Sequence, residues 1–213
     1  MHTGMNKPFY QIMKELDSAK TVDKRPIIVS FSGGKSSALM CHLLETLPQY
    51  RDRVKHYVFA NTGCEMPETL NFLKKWEYWC GYSGIKVHRI EAVIHFGERK
   101  SSTYRIVSHN EMANAYRLNK RQPFWQMVEK YGLPSVSFPH CTRELKINPI
   151  KAFIRDYLGL QKGQFVQAIG MRYDEPSRIK KYPDFIYPLY DVKITKQDVH
   201  DFFAQDDLKF YGL

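Results

Sequence analysis

The spacing of apolar positions predicts two consecutive strand–helix units near the start of the chain. Residues 27–29 form a continuous β-branched run, which is typical of a buried strand, and a glycine pair follows soon after. From residue 36 to Pro48 apolar residues recur at i, i+3 and i+4, the spacing of a packed helix face. A second strand over 54–60 and a helix from Pro67 to about residue 80 repeat the unit.

The same pattern continues toward the end of the chain. It predicts a strand over 85–90, a helix over 142–158 despite Pro149, a strand over 165–169 and a short helix over 195–203. Strands that alternate with helices indicate a parallel sheet covered by helices on both faces. The predicted fold class is therefore α/β, with a Rossmann-like parallel sheet sandwiched by helices.

The pattern loosens between about residues 95 and 140. We interpret this stretch as a mainly helical, basic insertion or lid within a single domain that spans residues 1–213. Its basic and aromatic side chains are Arg99, Lys100, Tyr104, Arg105, Tyr116, Arg117, Lys120, Arg121, Phe124 and Trp125.

Charge and hydropathy bear on partners and location. The 32 Lys and Arg residues exceed the 22 Asp and Glu residues by 10, an excess that attracts polyanions. A nucleic acid is one candidate partner, and the alternative is that ATP binding and solubility account for the charge. No apolar run approaches the roughly 18 residues of a membrane span, and residues 1–23 are too polar for a signal peptide. We expect a cytoplasmic protein without a membrane partner.

A candidate phosphate-binding loop lies between the first predicted strand and helix. Ser30 lies near the end of the strand, which we predict over 26–31, and Ser32, Gly33, Gly34, Lys35, Ser36 and Ser37 follow. Glycines let the backbone approach a ligand, so that amide groups and the helix N-terminus can face phosphate oxygens. The serines add hydroxyl donors, and Lys35 adds a charge for the outer phosphates. The spacing fits neither a Walker A motif nor a dinucleotide-binding GxGxxG motif.

Residues 32–37 resemble the PP-loop of the adenine nucleotide alpha hydrolase superfamily, which contains the phosphoadenosine phosphosulfate (PAPS) reductase family and the N-type ATP pyrophosphatases. Three further segments resemble that family in order. Residues 61–69 are similar to its second-strand motif, 141–149 to its Cys-x-x-x-(Leu/Arg)-Lys-x-x-Pro motif, and 170–178 to its Gly-x-Arg-x-x-Glu-Ser segment. The resemblance covers about residues 26–203.

The second-strand motif supplies several candidate site residues. Asn61, Thr62 and Gly63 follow a strand, and open parallel sheets bind ligands at that edge, so these residues are candidates to contact the nucleotide. The alternative is an ordinary Asn-Thr-Gly turn. Glu65 and Glu68 are candidates to hold Mg²⁺, and equally to favour the start of the next helix.

The two later motifs supply candidate anion ligands. Arg143 and Lys146 are spaced i, i+3 and would share one helix face, where they would neutralise phosphate or sulfate; a solvated basic face is the alternative. Arg172 and Arg178 flank Glu175 after a predicted strand, and two arginines there suit oxyanion binding. Gly170 and Ser177 join the nucleotide-binding set through the resemblance.

The resemblance implies one of two chemistries. One branch of the superfamily splits ATP between its α- and β-phosphates to adenylate an acceptor, and a lysine in the loop, as at Lys35, is typical of that branch. The reductases bind PAPS and carry a nucleophilic cysteine in a C-terminal motif, and no cysteine follows Cys141 in this sequence. Because related chains continue into a cysteine-bearing tail, a PAPS reductase-type enzyme remains the alternative.

We therefore predict an ATP pyrophosphatase in sulfur metabolism or nucleic-acid sulfur modification, of the DNA phosphorothioation or tRNA thiolation type. Its cofactors would be ATP (or PAPS) and Mg²⁺, and a sulfur donor protein is an expected partner. A homodimer or a subunit of a larger complex is compatible with the sequence, as is a non-catalytic nucleotide-sensing subunit. The predicted catalytic residues are Lys35, Cys141, Arg143, Lys146 and Arg172.

The four cysteines lack the close pairing of a zinc or redox motif. Cys41 fits an apolar core position. Cys64, Cys80 and Cys141 are candidates for an iron–sulfur cluster, although their wide spacing is weak support for one. A single reactive Cys141 and three inert thiols are the alternatives.

Overall fold

The computed structural model describes residues 23–83, 86–97, 102–117, 123–135 and 137–204. Six strands are present in these residues: β1 (Ile27–Phe31), β2 (Val54–Asn61), β3 (Lys86–Val93), β4 (Thr103–Ile106), β5 (Val166–Ile169) and β6 (Phe185–Ile186). The α-helices are α1 (Lys35–Thr46), α2 (Pro48–Arg51), α3 (Pro67–Ser83), α4 (His109–Arg117), α5 (Pro123–Tyr131), α6 (His140–Thr142), α7 (Asn148–Asp156), α8 (Pro188–Asp191) and α9 (Lys196–Ala204). None of the described helices is long and apolar enough to cross a membrane.

The strands form a mixed six-stranded sheet in the order β4-β3-β2-β1-β5-β6. β1 and β6 each pair with β5 in parallel, whereas β4 runs antiparallel to β3. The predicted α/β fold class, with a mostly parallel sheet flanked by helices, is confirmed.

The chain divides into two compact units. The first unit contains the residues up to His56 and those from Lys162 onward, and the second contains Tyr57–Gln161. In the first, β1 is buried through Ile27, Ile28 and Val29, all 0% exposed. Because β1 and β5 are parallel and in register from Ile27–Val166 to Ser30–Ile169, the segments that follow both strands emerge at the same edge.

The second unit has its own apolar cluster. Ala92, Ile94, Met127 and Leu145 form its buried part, and Cys141 packs against it with the side chains of α5. This cluster joins β3 and α5 to the segment that carries the Cys141 motif.

The segment around 95–140 differs in one respect from the mainly helical insertion that we predicted. It contains α4 and α5, as expected, but also β4, which pairs Arg105 with Glu91 and Tyr104 with Ala92. β4 is a four-residue edge strand with mostly exposed side chains, so it lacks the apolar signal of a buried strand. Arg99, Lys100, Lys120 and Arg121 lie outside the described residues. Whether the stretch acts as a lid stays a prediction.

Candidate active site

The predicted phosphate loop joins β1 to α1 in the first unit. Gly33 has a φ of 73°, a left-handed conformation that favours glycine. Gly34 is the N-cap of α1 without a capping side-chain hydrogen bond, and no acidic residue occupies the first turn. The first-turn N–H groups therefore keep their donor capacity and their positive end of the helix dipole, which together suit an anion.

Two of the serine hydroxyls that we predicted as phosphate donors form hydrogen bonds within the loop. Ser32 Oγ donates to Ser37 Oγ at 2.9 Å, and Ser37 Oγ donates in turn to the Gly34 carbonyl oxygen at 2.8 Å. The Ser32 amide also donates to Ser37 Oγ at 3.3 Å. Ser37 is buried, and its hydroxyl proton stabilises the loop itself. The roles of Ser32 and Ser37 as phosphate donors stay predictions, and both hydroxyls bond within the loop in this structure.

Lys35 is the first residue of α1 and its side chain is exposed. Its Nζ lies 5.8 Å from the centroid of the Phe203 ring on α9, within the range of a cation–π contact. Lys35 thus begins α1 while its ammonium group contacts α9, and its role at the outer phosphates stays a prediction.

Gly170 follows β5 and packs directly on the start of α1. A Cβ placed at residue 170 would lie 3.2 Å from Ser37 Cα and 3.4 Å from Ser37 N. The neighbouring strands are also tied by side chains, since Gln167 Nε2 donates to Ser30 Oγ at 2.6 Å. Ser30 and Gly170 thus help to build the loop that was predicted to bind phosphate.

Gly170→Ala is expected to destabilise the protein by about 1–3 kcal/mol, because the new methyl group must displace backbone atoms and not a flexible side chain. Urea unfolding measures this effect. Gly97→Ala is the control, since a Cβ there meets no atom within 4 Å. Equal stability of the two variants would contradict the close packing of residue 170 on α1.

Arg172 reaches from the segment after β5 to the phosphate loop. Its Nη1 donates to Ser36 Oγ at 3.1 Å, and its Nε donates to Asp174 Oδ1 at 3.0 Å. Its Nη2 lies 3.4 Å from Glu175 Oε2. Because Ser36 accepts this bond, its own hydroxyl proton remains available to a ligand. The structure therefore brings the predicted residues Ser36 and Arg172 together.

The carboxylates around Arg172 stay ionised at neutral pH. Burial raises the pKa of Glu175, but hydrogen bonds from the Arg172 amide and the Arg178 guanidinium outweigh it, and the pKa is lowered from its ordinary value. Burial also raises the pKa of Asp174, but the hydrogen bond from Arg172 lowers it, and the net result is a pKa below the ordinary value. Such groups stabilise the fold above their unfolded pKa, and this contribution is lost as the pH falls through the lowered value.

Ser177 lies in an exposed 3-10 turn, Pro176–Arg178.

The second unit contains the predicted Asn61-Thr62-Gly63 turn. Asn61 is 3% exposed; its Nδ2 donates to Glu91 Oε2 at 2.9 Å, and its Oδ1 accepts from the Gly63 amide at 3.2 Å. Arg105 Nε donates to the other Glu91 oxygen at 2.7 Å. Glu91 therefore fixes the orientation of the Asn61 amide and, through it, the turn. Sequence reasoning missed Glu91, whose role depends on the placement of β3 and β4.

Glu91→Gln is expected to lower the free energy of unfolding by about 1–3 kcal/mol. Asn61 and Arg105 both donate to Glu91, so the NH₂ group of the new glutamine would face a donor from one of them. Urea unfolding checks this expectation. Glu111→Gln is the matched control: Glu111 also pairs with Arg105, but it is exposed and forms a capping box with Ser108 that glutamine can retain. If the control were as destabilised as Glu91→Gln, Glu91 would not have this positioning role.

The candidate magnesium ligands have different surroundings. Glu65 Oε1 accepts from Thr62 Oγ1 at 2.7 Å, which closes the turn after β2, while Glu68 lies in the first turn of α3. Across the described ranges, no three His, Cys, Asp or Glu side chains converge as a metal site. Mg²⁺ commonly uses only one or two carboxylates together with nucleotide phosphates, so both residues remain predicted ligands.

The Cys141 motif does not form the single α-helix that we predicted over 142–158. Arg143–Ile147 is π-helical, between α6 and α7. Bonds in a π-helix close at i+5, so the α-helical argument that Arg143 and Lys146 share a face does not apply. Both side chains are exposed. Between them Glu144 is buried and accepts from the Ser102 amide at 3.1 Å and from Arg143 Nε at 2.8 Å.

The cysteines give limited support to a cluster. Burial, followed by the neighbouring Glu65 charge, raises the pKa of the Cys64 thiol, which disfavours the thiolate that binds metal. Cys141 is half-buried and Cys41 is buried in the core, as predicted. The Cys80 side chain lies outside the described residues, so the three-cysteine hypothesis stays a prediction.

The fold and the loop define the class: an α/β protein with a mostly parallel sheet and a glycine-containing loop between β1 and α1. Residues 26–120 match the family described as the phosphoadenosine phosphosulfate reductase domain. This match agrees with the resemblance to the PAPS reductase family that the motifs predicted.

Similar proteins extend the comparison beyond that region. An uncharacterised nin region protein of Escherichia phage lambda is 32% identical over 173 residues, 81% of this chain and 57% of the phage protein. An uncharacterised protein of Methanocaldococcus jannaschii is 28% identical over 74% of this chain and 28% of its own length. This chain thus spans little more than half of the phage relative and much less of the archaeal one.

A solved structure shares the fold. It is the U34-tRNA thiolase NcsA from Methanococcus maripaludis with its [4Fe-4S] cluster, at a TM-score of 0.50 and 16% identity, covering 93% of this chain and 63% of the thiolase. At that identity the similarity shows the fold alone.

Proposed function

We propose that this protein is an ATP pyrophosphatase that cleaves the bond between the α- and β-phosphates of ATP and transfers the adenylyl group to an acceptor. One observation carries the proposal: an uncapped helix N-terminus, Lys35 and the Arg172–Ser36 contact occur together at the phosphate loop. Cleavage at this bond releases pyrophosphate, whose charge grows as it leaves. Fixed positive groups favour that step most when they face the developing charge.

The roles in the reaction follow from these contacts. The first-turn amides of α1 and the Ser36 hydroxyl bind phosphate oxygens, Lys35 neutralises the leaving pyrophosphate, and Arg172 is held by Asp174 and Glu175 so that its position is fixed before ATP binds. Mg²⁺ would supply further charge neutralisation, with Glu65 and Glu68 as its predicted ligands. The predicted contributions of Asn61, Arg143 and Lys146 belong to the same proposal.

Pyrophosphate exchange tests the adenylation step. If an acceptor is adenylated reversibly, labelled pyrophosphate enters ATP only when protein, Mg²⁺ and that acceptor are present together. DNA, tRNA and small sulfur acceptors serve as candidates. Exchange with none of them, while ATP binds and stays intact, would favour a nucleotide-sensing subunit and contradict the proposal.

A PAPS reductase-type reaction is the second candidate, and the family match over residues 26–120 favours it. That reaction needs a cysteine nucleophile, for which half-buried Cys141 is available in the described residues. Isothermal titration with ATP and with PAPS at the same ionic strength separates the two proposals. Tighter binding of ATP supports the pyrophosphatase, and tighter binding of PAPS supports the reductase.

The sulfur-related acceptor is also part of the proposal. The structural neighbour is a tRNA thiolase that holds a [4Fe-4S] cluster, which makes nucleic-acid thiolation the reaction type we favour, with a sulfur donor protein as partner. Cys64, Cys80 and Cys141 are the candidate cluster ligands. An absorption spectrum of anaerobically purified protein tests whether the cluster is bound.

A further inference from the structure

The second unit contains a cleft whose lining residues are distant in sequence from the phosphate loop. It opens where α5 ends and where the following chain leads into α6. Its volume is about 520 Å³, within the roughly 300–1,000 Å³ range of small-ligand sites. The lining residues are Tyr131, Ser137, Phe138, Pro139, His140 and Arg143.

Aromatic rings dominate this cleft, although it is open to solvent. The side chain of Phe138 is 72% exposed, whereas phenylalanine is among the residues most often buried. The rings of Tyr131 and His140 have centroids 5.8 Å apart and planes tilted by 48°. The exposed ring of Phe138 provides a surface on which a planar ligand can stack.

The wall that carries Phe138 is held by backbone hydrogen bonds. The Phe138 amide donates to the Ser135 carbonyl oxygen at 3.1 Å, and the Ser135 amide donates back to Phe138 at 3.3 Å. The His140 amide also donates to the Phe138 carbonyl oxygen at 2.9 Å. Because the segment is already ordered by these bonds, less conformational entropy is lost when a ligand binds to the exposed ring.

The polar groups of the cleft match the edge of a nucleobase and a phosphate. His140 Nε2 lies 3.1 Å from the Gly132 carbonyl oxygen, which can only accept, so Nε2 carries the proton and a neutral ring leaves Nδ1 as an acceptor. Ser137 adds a hydroxyl. The Arg143 side chain is 60% exposed, and its hydrogen bond to Glu144 uses Nε. None of the six lining residues is acidic, and the bond between Arg143 and the buried Glu144 leaves the Nη groups of Arg143 for a ligand.

We propose that this cleft binds an unstacked base of a single-stranded nucleic acid, with the base against Phe138 and an adjacent phosphate on Arg143. The proposal rests on the proposed function, because it assigns the acceptor to a nucleic acid. It also explains the location of the cleft, since His140 immediately precedes Cys141, the predicted reactive thiol. The excess of 10 positive charges over the chain favours the same class of ligand.

Fluorescence anisotropy of the full chain with labelled single-stranded oligonucleotides, without ATP, tests this proposal. Phe138→Ala is expected to weaken binding by about 5- to 150-fold, the loss that corresponds to one stacked base. Phe138→Trp retains a stacking surface and is expected to keep the affinity. Leu133→Ala is the matched control, because Leu133 is 74% exposed and close in sequence but does not line the cleft.

A strand with abasic sites distinguishes base stacking from phosphate binding. We expect two equally weak affinities: that of the abasic strand for the unaltered protein, and that of the intact strand for Phe138→Ala. Equal affinity for intact and abasic strands, unchanged affinity in Phe138→Ala, or no strand binding at low salt would each overturn the proposal. If the cleft instead bound an aromatic side chain of a partner protein, Phe138→Ala would bind the strand with unchanged affinity.

The base in the cleft could come from a nucleic acid or from ATP, and titration with ATP distinguishes these two ligands. Phe138→Ala should bind ATP as the unaltered protein does, and an equal loss of ATP affinity would mean that the cleft holds the base of ATP, which contradicts the proposal. Lys35→Ala should leave the difference between intact and abasic strands unchanged. Strand binding that survives while pyrophosphate exchange is absent would disprove the proposed reaction and still support this cleft.

Discussion

Lys35→Ala is expected to lower the rate of acceptor-dependent ATP cleavage by about 100- to 1,000-fold, the usual loss when one group that stabilises a developing anion is removed. The ammonium group is exposed at the start of α1, so its removal leaves the buried face of the helix intact. The effect should therefore appear in kcat, with little change in the free energy of unfolding.

Lys162→Ala is the control for this variant. It removes the same charge from an exposed residue of the same unit, and it should cleave ATP at the rate of the unaltered protein. Similar rates for Lys35→Ala and Lys162→Ala would mean that Lys35 has no role in pyrophosphate departure. Rates are measured with the acceptor that supports pyrophosphate exchange.

Arg172→Lys is expected to weaken ATP binding by about 10- to 100-fold, the loss of one or more charge-assisted hydrogen bonds. The guanidinium contacts Ser36, Asp174 and Glu175 at the same time, and an ammonium group cannot reproduce that planar arrangement. The two carboxylates would then lie near the phosphate loop with poorer neutralisation and would repel the nucleotide.

Titration calorimetry measures this effect, and Arg155→Lys provides the comparison. Arg155 also pairs with an adjacent carboxylate, Asp156, but on the exposed surface of α7. It should bind ATP with unchanged affinity. An Arg172→Lys protein that bound ATP normally would show that the contact with Ser36 shapes the loop without contributing to phosphate binding.

The parts of the fold with strong local signals could be predicted from the sequence. β1 begins with three buried β-branched residues, and the glycine turn after it leads directly into α1. β4 gave no such signal, because its side chains are mostly exposed and its pairing with β3 depends on tertiary contacts. The π-helical turn at Arg143–Ile147 was missed for a related reason: residue spacing alone does not distinguish it from an α-helix.

The candidate site shows the same division. Lys35, Arg172 and Asn61 could be proposed as site residues because their residue types and motif positions fit anion or nucleotide binding. The internal hydrogen bond of Ser37 and the contact of Glu91 with Asn61 were not predictable, since they depend on hydroxyl direction and on strands that are distant in sequence. Both residues support the shape of the site, which composition and spacing do not reveal.

We propose that the phosphate loop directs cleavage to the bond between the α- and β-phosphates. ATP labelled on its γ-phosphate tests this claim most directly when it is incubated with protein, Mg²⁺ and an acceptor. We expect the label to appear in pyrophosphate, AMP or adenylated acceptor to form in equal amount, and Lys35→Ala to form both products about 100- to 1,000-fold more slowly. Label released as inorganic phosphate together with ADP, in the absence of any contaminating pyrophosphatase, would contradict it.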